Sequence, residues 1–190
     1  MKIFKEVRKT NTQVKLKRIT LKGYVNVVGR ESKILNHSKH GDFIEIITPG
    51  TFEEALRRAR NVDLLLNHDW ERKLGSLNDG NMELFEDSIG LRINAQIFDT
   101  EVINKAKNKQ LTGWSFKFTP LEERWVQGKD YRIRRYIRKI DLREISLLDI
   151  QQIPSYLGNS VECVEIQSVV CNNRDLYQKQ YEYLKLKGGI

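Results

Sequence analysis

The sequence lacks the features by which membrane, secreted and zinc-binding proteins are most easily identified. No apolar run approaches the length of about 18 residues that spans a membrane, and the first residues form no apolar segment of signal-peptide length. The two cysteines, Cys163 and Cys171, form no CxxC pair and have no histidine beside them, so free thiols are predicted rather than a zinc site. We therefore expect synthesis in the cytosol and no metal or other cofactor.

Motifs that identify two large groups of enzymes are also missing. The chain has no strand–helix–strand rhythm, and it has no glycine-rich phosphate loop. No GxSxG elbow surrounds Ser115, the serine discussed below, which argues against an α/β-hydrolase. Internal repeats and low-complexity segments are absent as well. Any enzymatic site must therefore be assembled from residues that are distant in the sequence.

The length and composition are those of one domain with a tail. The chain has 190 residues, of which 39% are hydrophobic and 31% charged, as in ordinary globular proteins. We expect a domain over residues 1–167. Residues 168–190 are predicted to form a helical or removable tail, because apolar and aromatic residues recur there at helical intervals before Gly188-Gly189.

The net charge of +8 is the one compositional excess, and a basic surface can bind an acidic partner such as nucleic acid. The basic residues are spread over residues 2–22, 57–60 and 132–139 without one long block. In residues 131–138 they alternate with apolar residues, which is typical of a half-solvated strand. Nucleic acid is therefore not the expected partner. A non-catalytic basic β-barrel that binds nucleic acid or an acidic scaffold remains the alternative.

Short strands dominate the predicted secondary structure. The predicted strands cover residues 14–28, 43–47, 61–70, 73–77, 82–87, 89–98, 111–119, 121–126, 131–140 and 142–149, with residues 73–98 as an antiparallel meander. Two helices are predicted, over residues 51–60 with a capping box of Thr51 and Glu54, and over residues 101–109 with a cap at Asp99-Thr100. This pattern favours a mainly β, α+β single domain, a closed or curled antiparallel β-barrel flanked by a few helices.

The most informative stretch is residues 111–119, in which aromatic and polar residues alternate. In an extended strand Trp114, Phe116 and Phe118 share one face, and Ser115 shares the other with Lys117 and Thr119. The aromatic face is expected to pack in a core. Ser115 is then displayed on the opposite face, where its hydroxyl could act on a substrate if a base removes its proton.

Candidates for that base and its partner lie at the ends of other strands. His68 follows an apolar run of strand length, although such a histidine could also be a plain surface residue. A histidine can take and return a proton near neutral pH, and Glu144 could hold its tautomer. The other two histidines, His37 and His40, lie in a polar loop and are expected to be solvated rather than catalytic.

Four motifs together resemble the prohead maturation proteases of tailed bacteriophages. The resemblance extends over residues 23–164, and the motifs occur in the family's order. They are Pro49-Gly50-Thr51-Phe52, Asn67-His68-Asp69 followed by Leu74-Gly75, Gly113-Trp114-Ser115-Phe116-Lys117-Phe118, and Arg143-Glu144-Ile145-Ser146-Leu147-Leu148-Asp149 followed by Pro154.

The resemblance implies a serine endopeptidase with the barrel fold of herpesvirus assemblins. Such an enzyme trims scaffold or capsid-protein extensions inside an assembling prohead in the host cytoplasm, and self-association is expected. His68 matches the family's base, Ser115 its nucleophile and Glu144 its acidic position. Asp69 and Asp149 remain rivals of Glu144 for orienting the histidine.

Two positions depart from the family pattern. Lys117 stands where glycine is expected and shares the face of Ser115, so it would change the electrostatics of the substrate cleft. Pro154-Ser155 replaces Pro-Ala. An oxyanion hole is required for acyl transfer, but the sequence leaves its donors open between backbone amides near Ser115 and a side chain such as Arg143.

Overall fold

The computed structural model describes residues 13–172, which form ten strands and two helices. The strands are β1 (Gln13–Val27), β2 (Glu31–His37), β3 (Gly41–Ile47), β4 (Asp63–Leu66), β5 (Asp69–Ser76), β6 (Met82–Glu86), β7 (Gly90–Ile97), β8 (Leu111–Gln127), β9 (Ile133–Asp149) and β10 (Glu162–Asn172). The helices are α1 (Thr51–Arg58) and α2 (Thr100–Lys107). The predicted mainly β, α+β class is confirmed.

The strands divide between two sheets. One sheet has four strands in the order β10-β1-β7-β6, and all of its pairs are antiparallel. The other has six strands and is organised around β9. Along one edge β9 pairs with β8, antiparallel, from Gln127↔Ile133 to Leu111↔Asp149. Along the other edge it pairs with β3 near its start and with β4 near its end, both parallel.

The prediction of a wholly antiparallel fold is therefore wrong at β9. Strands β3 and β4 are consecutive in the chain and α1 connects them, so both can run in the same direction along one edge of β9. The predicted meander is confirmed for its second hairpin, because β6 pairs with β7 antiparallel. It is wrong for its first strand, because β5 pairs with β4 in the six-stranded sheet. The hydrogen-bonded order of the described strands does not close either sheet into a ring.

Strands β8 and β9 are each continuous where two shorter strands were predicted. Their pairing shifts register beside Phe118 and around Glu122, so the irregular positions are bulges within a long ladder rather than strand ends. Pro120 is tolerated because β8 is an edge strand that pairs with β9 alone. The N–H group that proline lacks is therefore not needed for a hydrogen bond to a second neighbouring strand. Strand β10 likewise continues past Gln167, and its pairing with β1 ends at Asn172. Residues 173–190 lie outside the described residues, so the proposed tail remains a prediction.

The core contains the aromatic face that the alternation in β8 predicted. Trp114 and Phe116 are buried, and Phe118 packs against the core while half-buried. The ring of Phe116 meets Phe52 of α1 edge-on at 5.2 Å between centroids. Burying side chains of this size stabilises a fold by about 1.5–3 kcal/mol each, so β8 is held firmly on the face away from Ser115.

The start of α1 is capped by a residue that is distant in the sequence. The predicted capping box is wrong, since the N-cap is Gly50, in the left-handed conformation with φ 84°, and no side chain at that position caps the helix. Instead, the carboxylate of Glu86 on β6 accepts hydrogen bonds from the N–H groups of Gly50 (2.6 Å), Phe52 (2.9 Å) and Glu53 (2.9 Å). At α2 the local cap is confirmed, because Asp99 Oδ1 accepts from the N–H of Val102 at 2.9 Å.

We expect Glu86→Gln to lower the free energy of unfolding by about 1–2 kcal/mol, because the amide cannot accept from three N–H groups as a carboxylate does and loses its attraction to the helix dipole. Urea unfolding followed by circular dichroism measures the change. The matched control is Glu83→Gln on the same strand, where the carboxylate is exposed and accepts from Asn94. An equal loss in both variants would contradict the capping role.

Candidate active site

His68 lies in a tight turn between β4 and β5. Its two central residues, Asn67 and His68, both have positive φ, 54° and 62°, and they connect the paired residues Leu66 and Asp69. Positive φ at both positions is typical of a type I′ turn, the two-residue connection whose twist matches a β-hairpin. Asparagine and histidine are both among the residues enriched at positive φ, so the sequence of the turn suits its conformation. The backbone therefore projects the imidazole from a rigid hairpin end, as the abrupt end of the apolar run suggested.

The turn is tied to the end of β9 through Asn67. Its N–H donates to Leu147 O at 2.9 Å, and its Oδ1 accepts from the N–H of Asp149 at 3.1 Å. Its carbonyl accepts from Gln152 Nε2 at 3.0 Å. These bonds extend the parallel pairing of β4 and β9 beyond the last strand residue, and they fix the position of His68 relative to β9.

The imidazole of His68 is hydrogen bonded to Glu144. His68 Nδ1 lies 2.5 Å from Glu144 Oε1. The Glu144 side chain is fully buried, whereas 19% of the His68 side chain is exposed. A buried carboxylate is costly unless its oxygens are satisfied, and here Ser146 Oγ donates to the second oxygen, Oε2, at 2.6 Å. Ser146 Oγ also accepts from the N–H of His68 at 3.0 Å.

Ser115 reaches the same region from β8. In the β8–β9 ladder Ser115 is directly opposite Ser146, and Lys117 is opposite Glu144. Residues directly opposite in an antiparallel pair project from the same face, with Cβ atoms about 4.5–5.5 Å apart. Ser115 therefore shares the face of Glu144 and Ser146, to which His68 is bonded. Its side chain is half-buried and makes no hydrogen bond within residues 13–172.

The two rival carboxylates have other partners. Asp149 is fully buried, and its carboxylate accepts from Lys105 Nζ at 2.5 Å and from the N–H of Gln151 at 3.0 Å. Burial alone would raise the pKa of Asp149, but the bonds to Lys105 and to its other donors outweigh burial and lower that pKa. Asp69 Oδ1 accepts from the N–H of Glu71 at 2.9 Å. Of the three carboxylates, Glu144 is the one bonded to His68.

The backbone just before Ser115 is held by Asn159, a residue that sequence reasoning missed. Asn159 Oδ1 accepts from the N–H of Trp114 at 2.6 Å, and Asn159 Nδ2 donates to the carbonyls of Trp114 and, at 2.9 Å, of Val25 on β1. The amide thus joins β8 to the four-stranded sheet. It packs closely against Gly113, where a Cβ atom would lie 2.6 Å from both Asn159 Oδ1 and Pro154 Cγ.

His37 and His40 are remote from this cluster. Both lie beside Trp125 near the opposite end of β8, and the ring of His40 stacks on it at 4.2 Å between centroids. Trp125 pairs with Arg135, nine positions along β9 from Glu144, which corresponds to about 30 Å of extended chain. His37 and His40 are thus packed against an aromatic ring rather than fully solvated, and they are not part of the candidate site.

A family model described as caudovirus prohead serine protease matches residues 5–173 of the sequence. The chain belongs to this family. Membership implies a serine peptidase of phage head maturation, so the resemblance carried by the four motifs is confirmed. A search of curated proteins finds no match.

Within residues 13–172 neither helix is long and apolar enough to cross a bilayer. The match to the family covers every motif quoted from the sequence, including the turn of His68, the strand of Ser115 and the strand of Glu144.

Proposed function

We propose that this prohead protease is a serine endopeptidase in which Ser115 is the nucleophile, His68 the general base and Glu144 the residue that orients His68. The observation that carries the proposal is the 2.5 Å hydrogen bond from His68 Nδ1 to the buried carboxylate of Glu144, on the strand face that Ser115 shares. A serine needs such a base, and the base needs a third group to hold its tautomer.

The proposed reaction proceeds by proton transfers through His68. Ser115 Oγ attacks the carbonyl carbon of the scissile peptide bond while its proton passes to His68 Nε2. Glu144 stabilises the imidazolium that forms. The tetrahedral intermediate then collapses, the C–N bond breaks, and His68 returns the proton to the leaving amine. Water, deprotonated by His68, hydrolyses the acyl-enzyme in the same way and restores the Ser115 hydroxyl.

The substrate we propose is an extension of the capsid or scaffold protein, since a prohead protease acts in assembling heads within the host cell. Self-association, closure of the two sheets into an assemblin-like barrel, and self-cleavage of the tail are further parts of the proposal. Lys117 is exposed two positions after Ser115 on its face, and we expect it to add positive charge to the substrate cleft.

The alternative of a basic binding module is less well supported. Most cations of the basic stretch in β9 are engaged by carboxylates of the same chain. The pairs are Arg134 with Glu31 and Asp130, Arg135 with Glu45 and Glu123, Arg138 with Glu122, and Lys139 with Glu54. Cations that are already paired neutralise fewer phosphates, so we expect the net charge to overstate the affinity for nucleic acid.

The decisive experiment is trimming of the co-expressed capsid or scaffold protein by Ser115→Ala and His68→Ala variants. We expect each substitution to lower the rate at least about a thousandfold, because neither member of a nucleophile–base pair works without the other. Labelling by a fluorophosphonate should be lost with Ser115→Ala and strongly reduced with His68→Ala.

The matched control is Ser88→Ala, in the exposed turn before β7, which should trim and label as the unchanged protein does. Trimming at the normal rate by the Ser115→Ala protein would refute the mechanism. Salt-sensitive nucleic-acid binding without any trimming would favour the binding module instead.

A further inference from the structure

Ser146 lies at the centre of the hydrogen bonds that hold the proposed base, although the reaction itself does not use it. Its hydroxyl is fully buried and lies between the backbone of His68 and the side chain of Glu144. The two distances are 3.0 Å from His68 N to Ser146 Oγ and 2.6 Å from Ser146 Oγ to Glu144 Oε2. Both are ordinary hydrogen-bond lengths.

The direction of each bond follows from the donors and acceptors around the hydroxyl, which needs an acceptor for its own hydrogen. A backbone N–H can only donate, so Ser146 Oγ must accept from His68. A hydroxyl carries one hydrogen, and the remaining neighbour, Glu144 Oε2, is the atom toward which that hydrogen points. Glu144 therefore accepts a hydrogen bond at Oε2, and any proton on this carboxyl group would have to be carried at Oε1.

That assignment bears on which nitrogen of His68 carries the proton. If Glu144 is ionised, Oε1 accepts and Nδ1 must be the donor, which leaves the lone pair of Nε2 free to act as a base. If Glu144 were protonated at Oε1, it would donate to Nδ1, and Nε2 would carry the hydrogen of the neutral ring. The second arrangement could not take a proton from Ser115.

We propose that Ser146 is a positioning residue: through its hydroxyl it keeps Glu144 an acceptor at both oxygens, and through the His68 N–H it fixes the turn, so that His68 has its proton on Nδ1. The inference rests on the proposed function for its catalytic consequence. A hydrogen bond to the ionised form of a carboxylate favours that form, most strongly where the carboxylate is buried.

The test uses the full-length protein with Ser146→Ala and Ser146→Thr. Only three histidines occur in the chain, so ¹⁵N-histidine NMR can assign the tautomer of His68, with His37 and His40 as internal references. We expect Nδ1–H in the unchanged protein and a mixture of tautomers in Ser146→Ala. The rate of fluorophosphonate labelling should fall about 10- to 100-fold in that variant, and Ser146→Thr should restore most of both signals, because it keeps the hydroxyl.

Thermal unfolding of each variant shows whether the fold persists. An unchanged His68 tautomer in folded Ser146→Ala would overturn the inference, and so would a loss of labelling without a change of tautomer. The tautomer is read without substrate, so it decides this inference even if the proposed function fails. A failure of the proposed function would be recognised by a different result, namely labelling or trimming that survives Ser115→Ala.

Discussion

Glu144→Gln is expected to lower the rate of peptide cleavage by this prohead protease about a thousand- to ten-thousandfold, with little change in its fold. The substituted amide has one oxygen and one NH₂ group in place of two acceptors. The Ser146 hydroxyl must still find an acceptor, so the amide oxygen should turn toward it. The NH₂ group then faces His68 Nδ1 and donates to it. The proton of the neutral ring is thereby driven to Nε2, where it blocks general-base catalysis.

The experiment that checks this result is the rate of fluorophosphonate labelling of Ser115, followed by trimming of the co-expressed substrate. Asp69→Asn is the matched control, because it makes the same chemical change in the exposed rival carboxylate, which accepts from Glu71 N–H within its own strand. We expect that variant to remain within about threefold of the unchanged protein, as surface substitutions usually do. A large loss in Asp69→Asn, with normal activity in Glu144→Gln, would assign the orienting role to Asp69.

Asn159→Asp is expected to give the second large effect, a loss of about 2–4 kcal/mol in the free energy of unfolding at pH 7. The side chain is nearly unchanged in shape, but the NH₂ group that donates to the carbonyls of Trp114 and Val25 becomes a carboxylate oxygen. An anion then faces two carbonyl oxygens in a partly buried site, while their hydrogen bonds are lost. Because Trp114 precedes Ser115 on β8, labelling of Ser115 should weaken as well.

The pH dependence gives this prediction a specific sign. A carboxyl group that faces two carbonyls is favoured in its protonated form, so its pKa in the folded state lies above the unfolded value of about 3.9. The protonated carboxyl group therefore stabilises the fold at pH values below the unfolded-state pKa, and this stabilisation is lost as the pH rises through the folded-state pKa. Urea unfolding of Asn159→Asp should therefore show a smaller deficit at pH 4 than at pH 7. Asn78→Asp in an exposed turn is the control and should show neither effect; a deficit independent of pH would contradict the proposed contacts.

Local patterns predicted the parts of this fold that depend on neighbours in the sequence. The period-2 alternation placed Trp114 and Phe116 in the core opposite Ser115, because side chains in any strand alternate between faces. The cap of α2 by Asp99 was also predicted, because the capping residue and the helix are adjacent in the sequence. The residue types of the proposed triad also followed from chemistry and family resemblance. The contacts of these residues in the folded protein could not be predicted from chemistry or family resemblance.

The errors concern contacts between distant segments. Thr51 and Glu54 have the residue types of a capping box, but the carboxylate of Glu86 on β6 accepts the hydrogen bonds from three N–H groups at the start of the helix. Ser146 had a usable signal, since it lies two positions after Glu144 and thus on the same face of the strand. Asn159 had none, because its partners on β1 and β8 are 134 and 45 positions away in the sequence.

The sequence by itself determined the strand-rich character of this protein, the serine-bearing face opposite an aromatic one, and membership in a family of phage prohead proteases. The tertiary structure alone decided that β9 has parallel neighbours on one edge, that Glu144 rather than Asp69 or Asp149 contacts His68, and that Ser146 joins the two. The physical reason is register. A strand specifies which of its residues share a face, but its pairing partners and their offset depend on the packing of the whole chain.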